Sequence, residues 1–193
     1  MKEENEITVE VDMDLNSLIK LLEEKGFILR QEYDLNDIYL VNNNSKDEDY
    51  LSTLNRCVLI RNILINDESR KLLTYKYKEY NDKKEIINQS KINIKIDDID
   101  NTKLLFESVG FEELIRVNDH LYVYGTDKDE MAIQCVNNKH IYIEIEEKCG
   151  FNDRVYNSID EMKNVIYENN IPIKNNDFFV KKAEIELKEK YGK

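Results

Sequence analysis

The sequence predicts an α+β protein built on an antiparallel sheet large enough to curl or close, and three observations carry that prediction. Apolar residues alternate with polar ones in many short runs, the signature of half-buried strands. One element, a strand followed by an acidic cap, an amphipathic helix and Gly-Phe, occurs twice. Strands outnumber helices, and hairpin connections outnumber crossovers.

The repeat is seen by comparing ITVEVDMDLNSLIKLLEEKGF (7–27) with INIKIDDIDNTKLLFESVGF (92–111). Ile7, Val9 and Val11 match Ile92, Ile94 and Ile96 at period two. Asp12 or Asp14 in the first copy, and Asp98 or Asp100 in the second, can cap the helices by accepting backbone N–H bonds. Leu18, Leu21 and Leu22, like Leu104 and Leu105, are expected to face the sheet, and the leucine stripes read as core rather than cofactor site. Gly26 and Gly110 then end each helix in a left-handed turn. A repeat of this kind implies two similar halves around one core.

Further strands are expected at 27–33, 37–41, 56–65 and 71–79, then at 114–124, 130–136 and 140–147. The polar runs 42–52 and 79–90 read as connections. A helix is expected near 158–169 and a charged, helical end at 177–191.

At 193 residues the chain suffices for one domain with a proper core. Its net charge of −12 argues against nucleic acid as partner. No signal peptide or long apolar run is visible, so no membrane partner and a cytoplasmic location are expected. Cys57, Cys135 and Cys149 are odd in number with no CxxC pair, which argues against structural zinc and a disulfide framework. His120 and His140 stand alone in sequence and read as surface or packing residues.

The stretch HIYIEIEE (140–147) puts Ile141, Ile143 and Ile145 on one face of a strand and Tyr142, Glu144 and Glu146 on the other. Periodicity leaves two readings open: a face that meets water, or carboxylates turned into a cleft to hold a cation.

Motif order brings in a family. ENEIT (4–8) resembles an opening ExExK strand, DIYL (37–40) a D-x-Y-F, VLIR (58–61) an LRIR, LTYK (73–76) an LTxK, and YIEIE (142–146) an F-x-EIE. LLEEKGF (21–27) and LLFESVGF (104–111) fall between them. This plan resembles the CYTH family, the triphosphate tunnel metalloenzymes, which include class IV adenylate cyclases and thiamine triphosphatases. The resemblance covers nearly the whole chain and implies a single domain over 1–193, with halves about 1–90 and 91–150 and a helical C-terminal part 151–193. It implies a closed or nearly closed antiparallel β-barrel of two similar halves, with helices packed outside.

By the same resemblance, Glu4, Glu6, Glu144 and Glu146 line the tunnel and hold Mg²⁺ or Mn²⁺, while Arg61, Lys76, Lys91 and Lys95 hold a triphosphate such as ATP. A cation polarises phosphoryl oxygens, and basic groups neutralise the charge that develops in transfer. Asp37 and Tyr39 are expected to support the fold, Asp37 by bonding a backbone group. The lining departs from the family pattern at several places. Thr8 stands for a lysine, Leu59 for an arginine, Asn93 and Lys95 for acids, Asp119 and Leu121 for a K-x-R pair, and Gln134 for an aspartate. The implied activity is cyclisation or hydrolysis of a triphosphate, with a catalytically degenerate binding or interaction module as the alternative. A monomer or homodimer fits either.

Overall fold

A computed structural model of the chain describes residues 5–45, 49–80 and 86–192. Eight strands are introduced in chain order: β1 (Glu6–Glu10), β2 (Ile28–Asn42), β3 (Val58–Ile65), β4 (Glu68–Tyr80), β5 (Ile86–Lys95), β6 (Phe111–Gly125), β7 (Glu130–Val136) and β8 (His140–Glu146). Helices are α1 (Leu15–Glu24), α2 (Tyr50–Asn55), α3 (Ile99–Ser108), α4 (Ile159–Glu168) and α5 (Lys182–Tyr191). The strands form one sheet in the order β1-β8-β7-β6-β2-β3-β4-β5. The expected class, α+β on a large antiparallel sheet, is the class observed. Among the described residues no ladder joins β1 to β5, so hydrogen bonds among them do not close the sheet.

The chain divides into two compact units that interleave in sequence. The first is Asp34–Asn118 with the described residues from Lys181 onward, and the second is the described residues through Tyr33 with Asp119–Val180. In the second unit the β1–β8 register sets Ile7 opposite Ile145 and Val9 opposite Ile143. Leu18 and Leu22 of α1 and Met162, Val165 and Ile166 of α4 are buried in the same apolar cluster. Complete burial of Leu18 and Leu22 contributes about 1.5–3 kcal/mol each. The outer edge of β1 is paired as well: Thr8 N–H donates to the Phe178 carbonyl at 2.9 Å, and Val180 N–H to the Thr8 carbonyl at 3.0 Å.

The first unit has its own smaller cluster of Ile38, Leu40 and Ile60, against which Leu73, Ile96, Ile99, Phe106 and Phe111 pack. Here one expectation fails. Leu104 and Leu105 are 59% and 63% exposed, and the α3 residues that reach the sheet are Ile99 and Phe106.

Local chemistry explains the punctuation. Asp14 caps α1 by accepting from Ser17 N–H at 3.1 Å, and Asp98 caps α3 by accepting from Asn101 N–H at 2.8 Å. Gly26 and Gly110 follow α1 and α3 with φ of 86° and 92°. Asn66 and Asp67 both have positive φ, as a two-residue hairpin between β3 and β4 requires. Several boundaries differ from expectation. The runs expected at 27–33 and 37–41 are one strand, β2; the connection 42–52 contains the start of α2; and β5 begins at Ile86, inside the run 79–90. The last helix begins at Lys182, because residues 178–180 run beside β1 instead. Among the described residues no helix is long and apolar enough to cross a membrane.

Candidate functional site

In the second unit, strand pairing decides where the acids go. Glu6 lies directly opposite Glu146, and Thr8 opposite Glu144, so these side chains share one face of the sheet while the isoleucines take the other. Oxygens of Glu6, Glu144 and Glu146 lie within 4.8 Å of one another. Like charges directly opposite on neighbouring strands destabilise a sheet, and a hard divalent cation with its preference for oxygen ligands relieves that cost. The all-carboxylate donor set therefore fits such an ion. Glu4 lies outside the described residues. Gln134, where the resemblance expects an aspartate, donates its amide N–H to Glu144 Oε2 at 3.1 Å and so orients that carboxylate. The face is not simply wetted: Tyr142 is fully buried, Thr8 and Gln134 are buried, and Glu6 and Glu144 are half-buried.

Beside the acids, within the same unit, is a cavity of about 190 Å³ lined by Glu144, Glu146 and Lys148, with Leu121, Val123, Met131, Tyr33 and Phe151 among its walls. Glu130, also at its wall, accepts from Gly150 N–H at 2.7 Å and Phe151 N–H at 2.8 Å. Sequence reasoning missed Glu130, although EMAIQCV puts it in step with Gln134 and hence on the acidic face. It also missed Glu10, which continues the alternation of Glu6 and Thr8. The Glu10 carboxylate accepts from Lys174 Nζ at 2.7 Å and lies 3.0 Å from His140 Nδ1. Burial raises the Glu10 carboxyl, but the Lys174 and His140 bonds outweigh it and hold it below the usual carboxylate range. His140 thus partners a carboxylate, and His120 likewise sets its Nε2 2.8 Å from Glu32.

In the first unit the four expected basic residues share one face. Register pairs Arg61 with Leu72 and Leu72 with Lys95, and pairs Lys76 with Lys91. The two lysines are opposed cross-strand, a like-charge arrangement that an anion relieves. Arg61 donates Nε–H and Nη2–H to the two oxygens of Asp37 at 2.7 and 2.6 Å, both side chains being largely buried. Asp37 thus serves a guanidinium rather than the backbone group expected, because the β2–β3 register sets it directly opposite Arg61. Leu59, Leu72 and Thr74 are buried on this face, and Thr74 donates its hydroxyl to Asn93 Oδ1 at 2.9 Å.

All three cysteines are free, and burial pushes the Cys57 thiol up to about 12 and raises Cys135 and Cys149.

No family profile matches the sequence. A protein of Methanocaldococcus jannaschii named as a candidate adenylate cyclase is 24% identical over 185 residues, covering 96% of this chain and 98% of its own length. Among solved structures, the PH1819 protein from Pyrococcus horikoshii superposes with a TM-score of 0.72 at 19% identity, over 96% of this chain and 99% of that one. A candidate adenylyl cyclase from Hippeastrum, described as having a dominant triphosphatase activity, gives a TM-score of 0.64 at 11% identity, over 98% and 96% of the two chains. With the motif order, the two strand–helix copies and the eight-stranded antiparallel sheet, these likenesses support a CYTH-like fold for the chain.

Proposed function

We propose that the chain binds a triphosphate together with Mg²⁺ or Mn²⁺ and acts on it by phosphoanhydride chemistry, as a triphosphatase or an adenylate cyclase. The observation that carries this reading is the acidic trio, whose oxygens lie within 4.8 Å of one another on paired strands. The reading gives the cation to Glu6, Glu144 and Glu146, with Glu4 as a fourth acid, and the phosphates to Arg61, Lys76, Lys91 and Lys95. A bound cation supplies polarisation of phosphoryl oxygens and neutralises charge. The protein's own contribution is orientation. Gln134 fixes Glu144, and Asp37 holds Arg61 by two bonds. The relatives' names, a candidate adenylate cyclase and one with dominant triphosphatase activity, support the reaction class.

A second reading, a CYTH-like module that binds without turnover, is favoured by the buried Leu59 and Leu72 on the basic face and by Thr8 where a lysine is expected. Calorimetric titration of tripolyphosphate with Mn²⁺ tests the first part. Lys76→Ala should weaken binding by at least about 30-fold, since loss of one charged ligand of a desolvated anion costs about 2 kcal/mol or more. Lys128→Ala, in the Thr126–Asp129 turn, serves as the surface control. Equal affinities for the two variants remove Lys76 from the site. Binding by the wild type with no product from ATP or tripolyphosphate selects the non-catalytic module.

A further inference from the structure

We infer that the outer edge of β5 is a self-association surface, at which a second copy of the chain pairs antiparallel about Ile92 and continues the sheet.

The two end strands of the sheet are finished differently. The outer edge of β1 is paired with the chain's own residues 178–180. Among the described residues β5 pairs only with β4, and residues 91–95 are all exposed. An uncovered edge is a template for another strand. The face above it is also incomplete. Ile38, Ile60, Leu73 and Ile94 form one cross-strand row. Leu73 packs on the Ile38 cluster together with Ile99 and Phe106 of α3, but Ile94 is 55% exposed and Ile92, on the same face, 46%. Tyr75, opposite Ile92, carries this strip onto β4.

Charge and register select a second copy as the occupant. A two-fold axis normal to the sheet keeps each face on its own side, so it passes through a single residue of β5. Centred on Lys91, it sets two Lys91 ammonium groups opposite each other. Centred on Asn93, it sets Lys91 opposite the other copy's Lys95. Like charges directly opposite are destabilising. Centred on Ile92, it sets Ile92 against Ile92 and Lys91 against Asn93, and no two lysines meet. This register uses the regular part of β5, residues 88–95, and avoids the slip in the ladder between Glu79 and Tyr80. The edge lysines thus oppose slipped pairings and permit one.

Area agrees with this. Eight residues give roughly 30 Å of seam, and with sheet and helix layers of about 10 Å each the copies meet over about 600 Å² apiece. That reaches the lower bound of about 1,200 Å² in total for a stable interface, which the strand edge without α3 does not. Leu104 and Leu105 of α3 are exposed apolar surface on that second layer.

The test is sedimentation equilibrium at tens of micromolar, joined to oxidative cross-linking of edge cysteines with wild type as the blank. Wild type should be a dimer. Ile92→Lys sets two ammonium groups face to face on the axis and should weaken the dimer by at least about 10-fold. Ile92→Cys should cross-link, since a residue on the axis meets itself, and Asn93→Cys should not. A monomeric wild type, a dimer indifferent to Ile92→Lys, or cross-linking of Asn93→Cys in place of Ile92→Cys overturns the proposal. Circular dichroism separates dissociation from misfolding, and where Ile92→Lys does not fold the Ile92→Cys cross-link decides.

Discussion

The two copies of the strand–helix element share a plan and bury different side chains. Each has a ten-residue helix, capped by an aspartate twelve residues before a left-handed glycine: Asp14 and Gly26, Asp98 and Gly110. Counted back from the glycines, Leu22 corresponds to Phe106, Leu18 to Thr102, and Ile19 to Lys103. Leu18 and Leu22 are fully buried, whereas Phe106 is partly buried and packs edge-on against Phe111 at 5.2 Å. Where Ile19 packs on the core of its unit, Lys103 binds Glu107 at 3.1 Å and Glu113 at 3.2 Å. The copies differ by one residue between strand and cap, so aligning them from the strand end sets Leu104 at the position of Ile19, which packs on the core, whereas counting from the glycine sets it at that of exposed Lys20. A helix takes its phase from its cap and its terminal glycine, and a one-residue slip rotates it by about 100°.

The largest effect expected from this comparison is at Leu22. Leu22→Ala should lower stability by about 2–5 kcal/mol, whereas Leu105→Ala should stay within about 0.5 kcal/mol. Urea midpoints check this, and similar losses at the two positions would break the phase assignment. Next come the glycines, each with nothing within 4 Å of an added Cβ, so that only backbone strain opposes substitution. Gly26→Ala and Gly110→Ala should cost about 1–2 kcal/mol each, nearly equally, despite the different cores beneath. A clear inequality in thermal unfolding would mean that packing, not φ, sets the cost.

The smallest effect is electrostatic and belongs to the second copy. The Arg116 side-chain bond leads, against some burial, and with the Lys103 bond holds the Glu113 carboxyl down at about 2. A depressed folded value stabilises above the ordinary carboxylate range and loses that contribution as pH falls from about 4.5 toward 2. The gap in urea midpoint between wild type and Glu113→Gln should therefore narrow between pH 6 and pH 2. A gap that is constant with pH would assign the effect to shape rather than charge.

Strand alternation and glycine punctuation made most of the sheet readable from sequence. The hidden parts lacked apolar contrast. IINQSK, the start of β5, is mostly polar, so it carries little period-two signal. YLSTLN (α2) is too short for helical periodicity to accumulate, although Asp49 caps it through Leu51 and Ser52 N–H. Alternation alone left the face of Glu144 and Glu146 open; that Glu6 shares it follows from the β1–β8 register, and the assignment of these acids to a cation came from the resemblance. The Arg61–Asp37 pair was not legible, because it depends on the register between β2 and β3, which composition does not encode. Phe151 was hidden for another reason: its loop takes its shape from Glu130, twenty-one residues earlier.

Interleaving of the two units has a kinetic consequence. The second unit draws its first residues from before Asp34 and the rest from after Asn118. On a nascent chain, β1 and α1 therefore emerge long before β8, α4 or the segment 178–180 that pairs with the outer edge of β1. Until those arrive, Ile7, Val9, Leu18 and Leu22 have no complete core to enter. The contacts that complete this unit span most of the sequence, the high-contact-order pattern that slows folding and exposes apolar strands to aggregation. The first unit lies almost wholly between Asp34 and Asn118, so most of it can pair while the earliest strand still waits.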